Sequence, residues 1–301
     1  KQIQMKIVIS IFCLPYEIDE LEQIINQLKR SSYYLNGNNE WILDVSLGVS
    51  DYLVDWEKSS IPKSYFKDKL KTLEEKCDWC TPAFHHDDHI KGCVSQRRNS
   101  MKLVEDADYF IWLDTDIIFE ERTLSYVENT INSIGSYPMS IITPEIVRIW
   151  DNTWDCLVND EFIDKPLDYH KTNDPYQDCG IKGDVTVTSV YNTSSGQPRF
   201  KFAGGWFTCI SGDLLRRIGI PESLGHYGLE DTFIMNGAHE LLKLGEETHQ
   251  FKLKNVVVCE NYKYRDNTYL TSQLKVINRK EEFLKVAHDN YQSEMMKLLN
   301  G

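Results

Sequence analysis

Apolar residues in the first part of the chain change from a strand-like to a helix-like spacing. Lys6 to Phe12 is an almost continuous β-branched and aromatic run, which is typical of a strand covered on both faces. Pro15 ends this run. Apolar residues then return every three or four positions and predict a helix that ends near Lys29 and Arg30, with its buried face at Ile18, Leu21, Ile24, Ile25 and Leu28.

The same alternation continues along the chain. Residues 41–49 predict a second strand, residues 99–106 a helix, and residues 109–113 a short buried strand. Strands that alternate with helices indicate βαβ units and a mainly parallel sheet. After a loop-rich region over residues 150–198, further elements are predicted at 200–210, 213–218, 232–244 and 255–259, followed by a C-terminal helical piece. We therefore expect one α/β domain with an elaborated second half.

Composition and charge narrow the classes of protein that remain. The 301 residues carry 33 Lys and Arg against 46 Asp and Glu, which gives a formal net charge of −13. This acidic balance argues against a non-specific nucleic-acid binder and against a protein held on anionic membranes by a basic face. No apolar run reaches the roughly 18 residues that a membrane span needs. Eight cysteines without a repeated spacing indicate reduced thiols, so we expect a cytoplasmic protein or a soluble fragment of a larger one.

Two aspartates separated by one residue follow the strand predicted at residues 109–113. Because ligands in open α/β sheets bind beyond the carboxyl ends of the strands, Asp114 and Asp116 stand where a ligand would lie. A hard cation such as Mg²⁺ or Mn²⁺ prefers carboxylate oxygens of this kind together with substrate phosphates. The alternative is that both aspartates only cap the following turn.

A second group of candidate residues lies about a hundred positions further on. Gly204 and Gly205 precede Trp206, and a backbone without side chains can pass close to a ligand. Glu230 and Asp231 open the last long helix predicted before the C-terminal piece, where the helix macrodipole stabilises carboxylates. An ionised aspartate there could act as a general base, although acidic residues at a helix start also serve simply as caps.

Three blocks of sequence resemble, in the expected order, GT-A-fold glycosyltransferases that use nucleotide sugars. Residues 7–12 resemble the first strand under the nucleotide, and residues 97–116 resemble the "ARN…GDY…LDxD" block of family 2-like enzymes. Residues 204–231 resemble the "GG(F/W)…GWGxED" block of galactosyl- and N-acetylgalactosaminyltransferases. Residues 114–151 bear a more distant resemblance to Anp1-type mannosyltransferases. Together the blocks cover about two-thirds of the chain.

The resemblance implies a fold and a division of the chain. The fold is a Rossmann-like, mainly parallel sheet flanked by helices, with residues 1–116 binding the nucleotide sugar, 117–265 forming the acceptor and catalytic half, and 266–301 a helical extension. Asp116 would ligate a Mn²⁺ or Mg²⁺ ion, and Asp114 would contact the ribose or a metal-bound water. Arg98 and Asn99 would lie near the base or the diphosphate.

The resemblance also implies a reaction. Gly204, Gly205 and Trp206 would line the pocket for the donor sugar and the acceptor. Glu230 would hydrogen-bond a substrate hydroxyl, and Asp231 would take the proton from the attacking hydroxyl. The expected reaction is a single displacement with inversion, from a UDP-sugar or alternatively a GDP-sugar to a saccharide or glycoconjugate acceptor.

The sequence departs from the family pattern near the last core strand, where relatives often supply a histidine ligand. This chain has Glu260 there, which could replace the histidine as an oxygen ligand, or water could complete the metal shell. Arg265 follows and could hold the diphosphate, because guanidinium groups suit phosphate oxygens. Its alternative is a solvated surface arginine.

A compact group of thiols and imidazoles lies between the first two blocks. Cys77, Cys80 and Cys93, with one of the histidines at 85, 86 and 89, could bind a tetrahedral zinc ion. Their spacing does not match a zinc finger, and an ordinary loop near the nucleotide pocket is the favoured interpretation.

Two other functions compete with a glycosyltransferase. A sugar-phosphate nucleotidyltransferase would share the fold class and the acidic metal site, but the glycine-rich loop expected after its first strand is replaced here by residues 13–16, Cys-Leu-Pro-Tyr. A catalytically inactive carbohydrate-binding domain would not need two intact acidic pairs.

Overall fold

The computed structural model describes residues 4–48, 61–86, 91–134, 138–147, 181–189, 204–260 and 280–300. These residues form one mixed sheet with helices on both faces. Arg265 and most of the loop region expected over residues 150–198 lie outside the described residues.

The described part of the sheet has nine strands. Their spatial order is β3-β2-β1-β4-β8-β6-β9-β5, and β7 pairs with β9. In chain order the strands are β1 Lys6–Cys13, β2 Glu40–Leu47, β3 Thr81–His85, β4 Tyr109–Leu113, β5 Ile117–Phe119, β6 Ser140–Val147, β7 Ile181–Ser189, β8 Phe207–Ser211 and β9 His249–Glu260.

The directions of the strands bring distant segments to one edge of the sheet. β1 to β4 are parallel, and β6 and β9 run the same way, whereas β5, β7 and β8 are antiparallel to their neighbours. Six strands therefore share one direction, which confirms the mainly parallel sheet. Because β8 is antiparallel to β4, with Leu113 opposite Phe207, the residues that precede β8 lie beside the residues that follow β4.

Helices cover both faces of the sheet and form two cores. α1 (Ile18–Ser32), α2 (Lys63–Glu74) and α4 (Thr123–Ser133) pack on one face, and α3 (Cys93–Leu103), α5 (Gly212–Ile218) and α6 (Glu230–Lys243) on the other. β1 shows why, since Ile7 and Ile9 belong to the first core and Val8 to the second. A C-terminal helix, α7 (Lys280–Asn300), confirms the predicted helical piece. None of the described helices combines the length and the apolar character needed to cross a membrane.

Most predicted elements are confirmed, but one helix was placed wrongly. The strand at 109–113 has the predicted bounds, and α1 and α6 begin within two residues of the helices expected there. The helix predicted at 99–106 is α3, which instead spans Cys93–Leu103. Its buried face is mostly polar and comprises Val94, Gln96, Arg97 and Ser100, so apolar spacing did not reveal its first two turns.

Candidate active site

The aspartate pair stands at the carboxyl edge of the sheet, as the sequence predicts. All five residues of β4 are buried, and the chain leaves the sheet core at Asp114. The Asp114 N–H donates to the Trp206 carbonyl at 3.0 Å, which extends the contact between the two segments beyond the last paired residues. The Asp114 side chain is 40% exposed, and Asp116 is half-buried. Both residues are therefore open to a ligand from solvent.

The two glycines before β8 lie between this pair and the start of α6. The Gly205 N–H donates to Asp231 Oδ2 at 3.1 Å. A Cβ atom on Gly205 would come closer than 3.0 Å to the terminal atoms of the Arg97 guanidinium. Glycine is thus needed at this position because the Arg97 side chain occupies the space. Backbone strain is not the reason, since the φ of Gly205 lies outside the left-handed region.

The second acidic pair begins α6 after a strained residue. Leu229, immediately before the helix, has a φ of 67°, a left-handed conformation that is costly for a residue with a side chain. Glu230 is only 3% exposed. Asp231 Oδ1 accepts hydrogen bonds from the N–H of Thr232 at 2.6 Å and from its hydroxyl at 3.2 Å. Together with the bond from Gly205, these contacts fix the orientation of the Asp231 carboxylate.

Arg97 joins these segments at the centre of the site. Its Nη1 forms an ion pair with Glu230 Oε1, and its Nη2 lies 3.2 Å from Asp114 Oδ1 and donates to the Gly205 carbonyl at 2.8 Å. The guanidinium carbon lies 4.7 Å from the centroid of the Trp112 ring. Arg97 itself is 4% exposed. One buried cation therefore connects α3, the end of β4, the glycine segment and the start of α6.

The structure does not bring Arg98 into this cluster, although the resemblance placed it near the nucleotide. Its guanidinium donates to the carbonyls of Ile220, Pro221 and Gly225 at 2.9, 2.7 and 3.2 Å. Asn99 is two residues from Arg97 on α3. Residues two positions apart in an α-helix point to nearly opposite sides, so Asn99 does not share the direction of Arg97. Of the two adjacent arginines in the motif, the structure places Arg97, and not Arg98, in the acidic cluster.

Burial is the main cause of shifted pKa values among the carboxylates of the site. Burial raises the pKa of Asp114 to about 7, the charges of Asp116, Glu230 and Asp231 add to this rise, and Arg97 opposes it. Burial also raises the pKa of Asp116. It raises the pKa of Glu230 as well, against the opposing effect of the Arg97 charge. The site thus carries more negative charge than its arginine balances.

Glu17 is a further carboxylate at this edge, and the sequence analysis missed it. It ends a 3₁₀ turn, Pro15–Glu17, directly after β1, and its side chain accepts the Leu14 N–H at 2.9 Å. Burial raises the pKa of Glu17 to about 8, and the charges of Asp116 and Asp114 contribute to the rise. The only sequence signal was the position of Glu17 just beyond a strand that is parallel to β4.

The donor set at this edge fits a hard divalent cation. Its groups are carboxylate oxygens in excess of positive charge, and Mg²⁺ or Mn²⁺ typically combines one or two carboxylates with substrate phosphates. Glu260, the predicted additional ligand, pairs with Ile117 across β9 and β5, so its backbone lies one register position from Asp116. Within the described ranges, no three His, Cys, Asp or Glu residues are grouped so that they could hold a metal ion.

Among the residues that the structure describes, the zinc cluster considered from the sequence does not form. Cys77 belongs to the core on the α1 face of the sheet, and Cys80 packs against the same core. Cys93 packs against the core on the opposite face, where its thiol lies 3.7 Å from Glu230 Oε1. The three cysteines are separated because α3 crosses to the other side of the sheet.

Comparisons with solved structures identify the fold. The mannosyltransferase PcManGT from Pyrobaculum calidifontis, in complex with GDP-Man and Mn²⁺, matches 99% of this chain and 73% of its own, with a TM-score of 0.50 and 10% identity. GalNAc-T7 with UDP, GalNAc and Mn²⁺ matches 99% of this chain with a TM-score of 0.51 and 12% identity, and the chain spans 57% of that protein. No protein-family model and no curated protein matches the sequence. The chain therefore has the GT-A fold of these glycosyltransferases.

Proposed function

We propose that this protein is a metal-dependent glycosyltransferase that moves a sugar from a nucleoside-diphosphate donor to an acceptor hydroxyl. The observation that carries the proposal is the meeting of two acidic pairs, Asp114 with Asp116 and Glu230 with Asp231, at the carboxyl edge of a GT-A sheet. The ligands of the two fold neighbours, GDP-Man and UDP with Mn²⁺, support a nucleotide-sugar donor. A UDP-sugar is favoured and a GDP-sugar is the alternative.

Asp116 and Asp114 would hold a Mn²⁺ or Mg²⁺ ion. The backbone pairing of Glu260 with Ile117, the residue after Asp116, supports Glu260 as a further ligand. When bound, the cation would supply Lewis-acid stabilisation of the charge that develops on the leaving diphosphate. Trp206, half-buried beside Asp114, would form part of the donor-sugar wall.

Asp231 is the proposed general base. The acceptor oxygen would form a bond to the anomeric carbon while the bond from that carbon to the diphosphate oxygen breaks, and its electron pair leaves with the diphosphate. Asp231 would take the acceptor proton, and the bonds from Gly205 and Thr232 hold its carboxylate in place for this step. A single displacement of this kind inverts the anomeric configuration. Glu230 would hydrogen-bond a substrate hydroxyl through the oxygen that does not face Arg97.

The experiment is a panel of UDP- and GDP-sugars assayed with Mn²⁺ and saccharide acceptors, with release of nucleoside diphosphate as the signal. We expect turnover with one donor, and Asp231→Asn should bind that donor but transfer on the order of 10²–10⁴ times more slowly. Asp213→Asn is the matched control, because Asp213 is also an acidic residue in the first turn of a helix but pairs with Arg216 at the surface.

Three results would count against the proposal. Release of pyrophosphate instead of nucleoside diphosphate would indicate a nucleotidyltransferase. Donor binding without turnover for every acceptor would indicate a carbohydrate-binding domain. Unchanged transfer by Asp231→Asn would remove this residue from the role of base.

A further inference from the structure

We propose that Arg97 is a positioning residue whose guanidinium fork sets the distance between the metal-side aspartates and the general base. The catalytic part of this role rests on the proposed transferase function. Arg97 contacts Asp114 on the metal side of the proposed site. On the other side it contacts Glu230, the neighbour of the proposed base Asp231. It therefore stands between the two halves of the reaction.

The geometry of the contacts requires a planar fork rather than a single positive charge. Nη1 is directed to Glu230, whereas Nη2 serves both Asp114 and the carbonyl of Gly205. A guanidinium presents these donors in one rigid plane, and an ammonium group cannot reach three acceptors in such fixed directions. The face of the Trp112 ring lies 4.7 Å from the guanidinium carbon and restricts it from one side.

The helix that carries Arg97 is anchored independently of any substrate. On α3, the amide of Gln96 donates to buried Asp44 at 3.1 Å, and Ser100 also hydrogen-bonds Asp44. The first turn of α3 is tied to the turn before α6 by the bond from the Val94 N–H to the His226 carbonyl at 3.1 Å. A side chain that extends from such a fixed helix can hold the two acidic motifs at a constant distance from each other.

Two short connections link Asp231 to Arg97. One runs through the peptide bond from Glu230, and the other through Gly205, whose carbonyl accepts from Arg97 and whose N–H donates to Asp231. Loss of the guanidinium would remove the Arg97 contacts to Glu230 and to Gly205, and with them both connections to Asp231. Small misplacements of a base relative to its substrate reduce turnover strongly, with much smaller effects on binding.

The first test is steady-state kinetics of Arg97→Lys, which keeps the charge and removes the fork. We expect kcat to fall about 100-fold while the KM for the donor changes by less than about threefold. Arg216→Gln is the control, because Arg216 also donates to main-chain carbonyls, those of Glu105 and Ala107, but lies outside the acidic cluster. The control should keep the wild-type kcat.

The second test reads the geometry without activity. The Cys93 thiol faces Glu230 at 3.7 Å, so its alkylation by iodoacetamide, followed by peptide mass spectrometry, reports whether α3 and α6 stay together. Buried Cys209 in β8 is the internal reference. We expect Cys93 of Arg97→Lys to react about tenfold faster than in the wild type, with Cys209 unchanged.

A double variant separates positioning from folding. Arg97→Met with Glu230→Met removes both partners of the buried ion pair and leaves only Asp114, which is 40% exposed, without its cation, so the protein should fold. We expect its kcat to stay low although its melting temperature returns toward that of the wild type. Recovery of kcat together with stability would overturn the proposal, and so would an unchanged Cys93 rate in Arg97→Lys. A wild-type protein that turns over no donor would refute the proposed function, and the Cys93 rates would still decide the role of Arg97.

Discussion

Replacement of Gly205 by alanine tests the packing at the centre of the site. The added methyl group would come closer than 3.0 Å to Nη1, Nη2 and Cζ of Arg97. These atoms are the end of a flexible side chain, which normally moves aside at little cost. Here the guanidinium is buried and bonded to Glu230, Asp114 and the Gly205 carbonyl, so it cannot move without breaking those contacts.

The expected cost follows from what the displacement breaks. Removing one partner of a buried ion pair typically costs about 3–5 kcal/mol, and overpacking alone about 1–3 kcal/mol. Arg97 is displaced rather than deleted in Gly205→Ala, so part of its charge remains compensated. We therefore expect the free energy of unfolding to fall by about 3 kcal/mol.

The assay is urea unfolding followed by far-ultraviolet circular dichroism, with Gly204→Ala as the matched control. Neither glycine has a positive φ, and a Cβ on Gly204 would lie 3.2 Å from the edge of the Trp206 ring, a contact that a small shift relieves. The control should cost less than about 1 kcal/mol. Equal midpoints for the two variants would refute the claim that Arg97 is fixed in its place.

Three further predictions concern other parts of the fold. Glu17 has a pKa of about 8 in the folded protein against an ordinary 4.5, so it binds its proton more tightly when folded, and its contribution to stability falls as pH rises from about 4.5 to about 8. In EDTA, the melting temperature of Glu17→Gln should therefore rise relative to that of the wild type across this pH range. A constant difference between the two melting temperatures would contradict this pKa. Asp44→Ala should lower the free energy of unfolding by about 3 kcal/mol because two side-chain donors of α3 lose their buried acceptor, and Asp44→Asn should lower it by clearly less in the same urea assay. Gly228 has a φ of 85°, and a Cβ there would lie 2.6 Å from Cδ1 of Leu284 in α7. Gly228→Ala should therefore disturb the turn before α6 and slow sugar transfer. Wild-type kinetics in this variant would disprove the coupling between the turn and the reaction.

The sheet and the two acidic motifs could be predicted because each has a local signal. β1 and β4 are short runs of apolar residues in which both faces are buried, a pattern typical of strands in a mainly parallel sheet. Asp114 and Asp231 stand directly after a buried strand and at a helix start. The family resemblance implied that both take part in one reaction, and the antiparallel pairing of β8 with β4 explains how the two segments meet.

The centre of the site could not be predicted because its signals are not local. Arg97 and Arg98 are adjacent and chemically identical, and only the rotation of α3 decides which of them faces Glu230. That rotation is set by a buried polar face whose partner, Asp44, lies on another strand. Glu17 gave no pattern either, because it matters only through its distance from aspartates a hundred residues away.

The most direct test of the metal-dependent transfer is the rate of nucleoside-diphosphate release as a function of Mn²⁺ concentration, for the wild type and for Asp116→Ala. The wild type should be inactive in EDTA and recover fully when Mn²⁺ is added back, because the carboxylates at the end of β4 would hold the cation that stabilises the diphosphate. Asp116→Ala should remain folded and stay inactive at every Mn²⁺ concentration. Full wild-type activity in EDTA, or wild-type metal dependence in Asp116→Ala, would contradict this account.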